Sequence, residues 1–229
     1  MKIDSATSTM KIQFGNSRLT VRTFIPVLLA SACVLSGCLS RPYLKKETFT
    51  FDTPVAATTN VTNGNHVLGI SSLKIAAPFE GRSFVYRTGK FSFERDPYAE
   101  FLEPPAEALM SPLREWLRGN GDFSAVVEAG SALKPDTLVE IDVSQLFGDF
   151  RQPEHPAAIL TVRFVFFDAT NGVPGKAIFQ QDYSRSIPLS TPAAAALMDG
   201  WERALNEILA QMSADFRRRE TSAPADGHN

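Results

Sequence analysis

The 229-residue chain holds only two cysteines, Cys33 and Cys38, so nothing after residue 38 can form a disulfide framework or a cysteine-based metal site. No GxxxxGK[ST] loop occurs, which excludes the P-loop ATPase of a transporter. No apolar run reaches the roughly 20 residues of a membrane-spanning helix, so the chain does not read as a permease either. Histidine is scarce. His66 lies in an Asn-rich loop, His155 between two prolines and His228 near the C-terminus, none with HExxH spacing or beside a GxSxG serine. Glu140 and Asp142 lie two apart on one predicted strand and resemble a carboxylate pair, but a solvent-facing strand surface accounts for them. The run Arg217-Arg218-Arg219 suits a helix C-terminus better than a phosphate site. The chain is therefore read as non-catalytic, with no cofactor and no metal.

Charge of neither sign dominates: 23 Lys and Arg stand against 25 Asp and Glu. That balance argues against nucleic acid as a partner and against an electrostatic membrane patch. Membrane attachment has another source. Residues 1–23 are polar and basic, with Lys2, Lys11, Arg18 and Arg22, and an apolar run follows from Phe24 to Leu35. A basic flank, a short apolar stretch and small residues are the parts of a secretory signal. Leu35-Ser36-Gly37-Cys38 resembles the bacterial lipobox, in which the cysteine thiol is acylated and a peptidase cuts just before it. Residues 1–37 are thus read as a lipoprotein signal peptide and Cys38 as the lipidation site. Removing the signal leaves a formal charge of −5. Stable anchoring takes about two acyl chains, each buried methylene contributing about 0.8 kcal/mol. A fully acylated Cys38 would meet that requirement.

Residues 38–45 read as a lipidated tether, 46–219 as one domain and 220–229 as a disordered tail. Strands are expected at Lys46–Phe51 and Leu68–Ala76. A hairpin is expected from Phe84–Arg87 and Lys90–Glu94 around Thr88-Gly89, with a further short strand at Tyr98–Leu102. A first helix follows Pro104-Pro105, its apolar face set by Leu109, Leu113, Trp116 and Leu117, with Pro112 expected to kink or restart it. Gly119-Asn120-Gly121 ends it, and Phe123–Val127 returns as a strand; the strand–helix–strand order suggests a parallel pair. In Thr137–Phe150, Val139, Ile141, Val143 and Phe147 are expected to point one way and Glu140, Asp142 and Ser144 the other. Ala158–Asp168 is apolar on both faces and reads as a central strand covered on both sides, either by helices alone or in part by a partner. Asn171-Gly172 and Pro174-Gly175 then turn the chain into Ala177–Ile187. A second helix is expected from Thr191-Pro192, with Leu197, Trp201, Ala204, Leu205, Ile208, Met212 and Phe216 as its buried stripe.

The order of these segments resembles one family. Tyr43-Leu44 and the Phe49/Phe51 strand follow the lipobox. Leu68 to Phe79 precedes Phe84-Val85-Tyr86-Arg87, and Tyr98 to Pro105 leads into the Leu109, Leu113, Leu117 helix and Gly121 to Val126. This is similar to the ABC-type transport auxiliary lipoproteins, which include the paraquat-inducible PqiC lipoproteins. Phe101 stands where members often carry Trp in a "Y…WaeP" stretch, while Glu103 and Pro104 fit. The resemblance implies an α/β fold, a mixed β-sheet with two principal helices, similar to the anticodon-binding-domain-like sandwiches. It also implies a periplasmic domain on the inner face of the outer membrane, working beside a transporter with a mammalian-cell-entry (MCE) protein that moves phospholipids. Leu39, where Asp would favour inner-membrane retention, leaves outer-membrane sorting as the default. Only Cys38 carries over as a site. A structural assembly lipoprotein of another envelope machine, such as a lipopolysaccharide-export or secretin partner, stays open, as does self-association.

Overall fold

The computed structural model describes residues 45–52, 64–128 and 130–222. The lipobox, Cys38, the tether as far as Leu44 and the tail after Ser222 lie outside them. Among the described residues the chain forms β1 (Glu47–Phe49), β2 (Val67–Ile75), β3 (Ser83–Arg87), β4 (Phe93–Phe101), β5 (Ala125–Val127), β6 (Thr137–Asp149), β7 (Ala157–Asp168) and β8 (Ala177–Pro188). Two helices accompany them, α1 (Pro105–Gly119) and α2 (Ala194–Ser222). All eight strands join one mixed sheet, as the resemblance implied, and the helices pack on it.

Strand β6 is the spine. Along one edge it pairs antiparallel with β7 throughout. Along the other, Thr137–Val143 pair in parallel with β2, and Gly148–Asp149 with β3. The sheet thus forks, one branch continuing through β2 to β5 and the other through β3 and β4 to β1. The expected parallel partner of β5 is corrected here. It pairs with β2, at the opposite end of the sheet from β4, because α1 carries the chain across the sheet rather than back beside the strand it left.

Register explains a second correction. The ladder slips between Val143 and Gln145, so side-chain alternation changes phase. Val139, Ile141 and Val143 face the helices, as read from the sequence. Beyond the slip it is Leu146, opposite Leu160, that faces them. Phe147 turns to the other side of the sheet and packs with Phe79 and Phe93, ring centroids 5.7 and 5.6 Å away. Similarly, the two short strands expected at 90–94 and 98–102 are one strand, β4, with a local turn inside it. Pro97 has no N–H to give, and Asp96 Oδ1 accepts the N–H groups of Tyr98 and Ala99 at 2.7 and 3.0 Å.

Helix α1 runs unbroken through Pro112, which is buried, so the expected restart does not form. The proline removes one helical hydrogen bond, and burial of Leu109, Leu113, Trp116 and Leu117 on either side of it holds the helix together. Gly121, at φ 76°, turns the chain out of the helix end. Helix α2 starts at Ala194, after rather than at Pro192, and continues past the expected limit to Ser222. Every residue of its expected stripe is buried.

Gly200 in α2 has a packing reason. A Cβ there would stand 2.6 Å from the Ala158 Cβ and 2.8 Å from Leu189 Cδ2. Helix propensity alone would favour Gly200→Ala by about 1 kcal/mol, but forcing a methyl into a filled contact costs about 1–3 kcal/mol. The variant is expected to unfold at lower urea than the wild type. A midpoint at or above the wild-type value would mean that α2 lifts from β7 without cost.

Two aromatic groups centre the core. Trp201 packs edge-on against Phe84 and stacks on Phe101, with centroids 4.9 and 5.6 Å apart. Phe216 meets Phe123, Phe166 and Phe179 at 5.3, 4.7 and 5.9 Å. The helices are joined by buried polar groups as well: Asn120, at the end of α1, donates from Nδ2 to Ser213 Oγ on α2 at 2.7 Å and also to Asp122. Ser213 Oγ donates to Asp122 Oδ2 at 2.5 Å. Burial pushes the Asp122 carboxyl up, against the opposing pull of Ser213, the Arg217 guanidinium 3.4 Å away, and Asn120.

A candidate interaction face

Both helices lie over one face of the sheet, so β7 is covered by helix on one side only, and of the two readings its composition left open, helices on both sides is the one that does not hold. Leu160, Val162, Phe164 and Phe166 point under the helices and are buried. Ile159, Val165 and Phe167 point the other way and are partly exposed. This second face is open.

Charge is ordered across it. Lys74 on β2 stands opposite Asp142 on β6, which stands opposite Arg163 on β7, opposite Asp182 on β8. Directly opposed residues of neighbouring strands share a face, so the four form a rung of alternating sign across four strands. Arg163 grips Asp182 with two bonds, Nε to Oδ1 at 2.5 Å and Nη2 to Oδ2 at 2.9 Å. That grip holds the Asp182 carboxyl below the usual aspartate range. The next rung is neutral: Thr161 Oγ1 donates to Gln145 Oε1 at 2.9 Å and lies 2.9 Å from Ser184 Oγ. A groove of about 390 Å³ runs along the charged rung, lined also by Ile75, Ala76 and Ser144. Apolar side chains flank the polar centre, Val165, Phe167 and Leu138 towards one end of the sheet and Ile159 and Phe147 towards the other. Glu140 faces the same way opposite Val165, and Asp142 is bracketed by cations. The two carboxylates thus stand on an open strand surface, as the sequence reading favoured.

His66 and His155, the two described histidines, are not brought together. His66 Nδ1 lies 3.1 Å from Asp136 Oδ1 and Nε2 3.5 Å from Glu220 Oε1, beside an apolar cavity of about 270 Å³ that includes Phe179 and Phe216. Burial raises the Glu220 carboxyl, with His66 opposing. Ser124 Oγ donates to the backbone carbonyl of His66 at 3.0 Å, not to its ring, so no serine–histidine relay forms there. His155 sits in the β6–β7 turn, and His228 lies outside the described residues. Among the described residues no group of His, Cys, Asp and Glu is placed to hold a metal. The three arginines of the run near the end of α2 divide their roles: Arg217 reaches buried Asp122, Arg218 pairs with Asp215 at 2.5 Å, and Arg219 borders the His66 cavity. Neither the alternating rung nor the Asp122 cluster was read from sequence. Each depends on register or on contacts more than 90 residues apart, between Asp122 and Ser213.

Residues 49–213 match the family model of the ABC-type transport auxiliary lipoprotein component. The chain belongs to this family. The match covers β2 to β8, α1 and most of α2, and the strands and helices fall in the order the resemblance implied. Among solved structures, the Xanthomonas campestris protein XCC0632, of the DUF330 family, superposes with a TM-score of 0.66 at 14% identity, over 76% of this chain and 97% of that one. An uncharacterised protein gives 0.51 at 14% identity, over 75% and 98%. At such identities the likeness shows a shared fold. A comparison with curated protein sequences gave no match. No helix among the described residues of this auxiliary lipoprotein is long and apolar enough to cross a membrane.

Proposed function

We propose that this auxiliary lipoprotein is a non-catalytic docking subunit of an MCE-type phospholipid transport system. In this reading residues 1–37 are removed, acyl chains on Cys38 hold the protein to the periplasmic face of the outer membrane, and the folded domain meets the periplasmic MCE protein. The family match over residues 49–213 carries the reading. The open sheet face supports it. Partly exposed Ile159, Val165 and Phe167 around an ordered rung of charge combine apolar contact with polar specificity, as protein interfaces do.

Photo-crosslinking residues placed at Thr161 and Val165 in the acylated protein in cells test it, with exposed Ala210 on the outer side of α2 as the control position. Capture of an MCE subunit from 161 and 165 but not from 210 is the expected result. Reproducible capture of only an outer-membrane barrel or a secretin would replace the proposal with the assembly-lipoprotein reading.

A further inference from the structure

The most exposed large apolar residue among those described is Phe91, 85% accessible at the tip of the β3–β4 hairpin. The turn is closed by the Thr88 N–H donating to the Ser92 carbonyl at 3.0 Å, which holds Lys90 and Phe91 outward. Lys90 Nζ lies 5.1 Å from the Phe91 ring centroid. Phe93, 48% accessible, follows at the base of the tip with the Arg87 guanidinium 5.6 Å from its ring. Single exposed apolar residues are ordinary on protein surfaces. This one is set apart by its basic neighbours and by its place in the fold.

Strand β1 runs parallel to β4, with Glu47 opposite Ala99. Traced backwards from Glu47, the strand direction therefore points to the end of the sheet where β4 begins, at Phe93, beside the hairpin tip. Across β3, Glu100 stands opposite Ser83 and Phe93 opposite Arg87, so the level of Phe93 lies four β3 residues beyond the end of β1, about 13 Å at ~3.3 Å per residue. Nine residues separate Cys38 from Glu47, a reach of at most about 32 Å. A bilayer surface holding Cys38 is thus within range of the tip, on the side to which β1 points.

We infer that the β3–β4 hairpin tip is a second contact with the anchoring membrane, Phe91 entering the bilayer interface and Lys90 meeting lipid phosphates. An aromatic ring flanked by a cation suits that boundary, because the ring enters the acyl region while the ammonium stays among headgroups. The contact fixes how the domain stands on the membrane, which a flexible anchor alone does not. The inference rests on the acylation of Cys38 proposed above.

The test uses the full chain, matured and acylated, in vesicles of phosphatidylethanolamine and phosphatidylglycerol. With Cys38 bearing lipid, Phe91→Cys supplies the one free thiol of the mature protein, and a nitroxide is attached there. Val173→Cys, 64% accessible in the β7–β8 turn at the other end of the sheet, is the control. At position 91 the label is expected to be accessible to oxygen and several-fold less accessible to an aqueous nickel chelate than at 173. Equal nickel access at both positions in acylated, vesicle-bound protein overturns the hairpin contact and leaves the anchor standing. Intact mass showing no acyl chains on Cys38 overturns both.

Discussion

Replacing Trp201 with alanine is expected to lower the unfolding free energy by about 3–5 kcal/mol, the range for truncating a buried aromatic. Trp201 is 0% exposed and fills the space between α2 and the branch of the sheet that carries β3 and β4. It loses ring contacts to Phe84 and Phe101 at once. Its Nε1–H also donates to the Ile159 carbonyl at 3.2 Å, a bond the variant loses. A domain of this kind holds about 5–15 kcal/mol in total, and Trp201→Ala removes a large share of it. Trp116→Ala, on the buried face of α1, is expected to fall in the same range. Urea unfolding followed by circular dichroism checks both. A Trp201→Ala midpoint close to wild type would mean that α2 does not depend on the contact with Phe84 and Phe101.

Cys38→Ala is expected to abolish attachment altogether. Without the thiol no diacylglyceryl group is added, and the lipoprotein peptidase, which cuts only before the modified cysteine, leaves residues 1–37 in place. Intact-mass spectrometry of the purified products separates the outcomes: wild type beginning at Cys38 with acyl mass, the variant unacylated and uncut. A variant that is still cut before residue 38 and still carries acyl mass would place the anchor at another residue and end the lipobox reading.

The two buried helix stripes were readable from spacing alone, because a helix that packs on a sheet must repeat its apolar residues every three or four positions. Trp116, Leu117, Trp201 and Phe216 all lie where that rule puts them. Most strand positions were readable from alternation every second residue, although Asp96 and Pro97 made β4 look like two strands, and in β6 the reading held only down to the slip after Val143. There one unpaired residue reverses the alternation, and only the pairing with β7 reveals it. Strand partners were not readable. The helix after β4 and the strand after that helix suggest neighbours, yet β5 joins β2, and nothing local in Ala125–Val127 names that partner. The composition of β7 was read correctly as apolar on both sides, but not its cover, since a count of apolar residues does not say which side the helices take. The alternating rung was hidden for a related reason: Lys74, Asp142, Arg163 and Asp182 are ordinary surface charges until four strands bring them into line. The proposed anchor lies at the other extreme: it rests on four consecutive residues, Leu35 to Cys38, which lie outside the described residues.

The position of β1 has a mechanical consequence. The anchor proposed at Cys38 would transmit any pull on the domain through Glu47–Phe49, the shortest kind of strand at the border of the sheet. Tension along β1 would slide it past β4 and load the parallel bonds together, with the Leu102 N–H to Phe49 carbonyl bond of 2.7 Å and the Lys46–Glu100 pair of 2.9 Å among them. Tension across the sheet would instead open them one at a time. Phe49 against Phe84 and Phe51 against Phe101, at 5.2 and 5.7 Å, add apolar friction to the first mode. The domain is therefore sturdier when drawn towards the hairpin end than when pulled sideways, and β1 is where it would first yield.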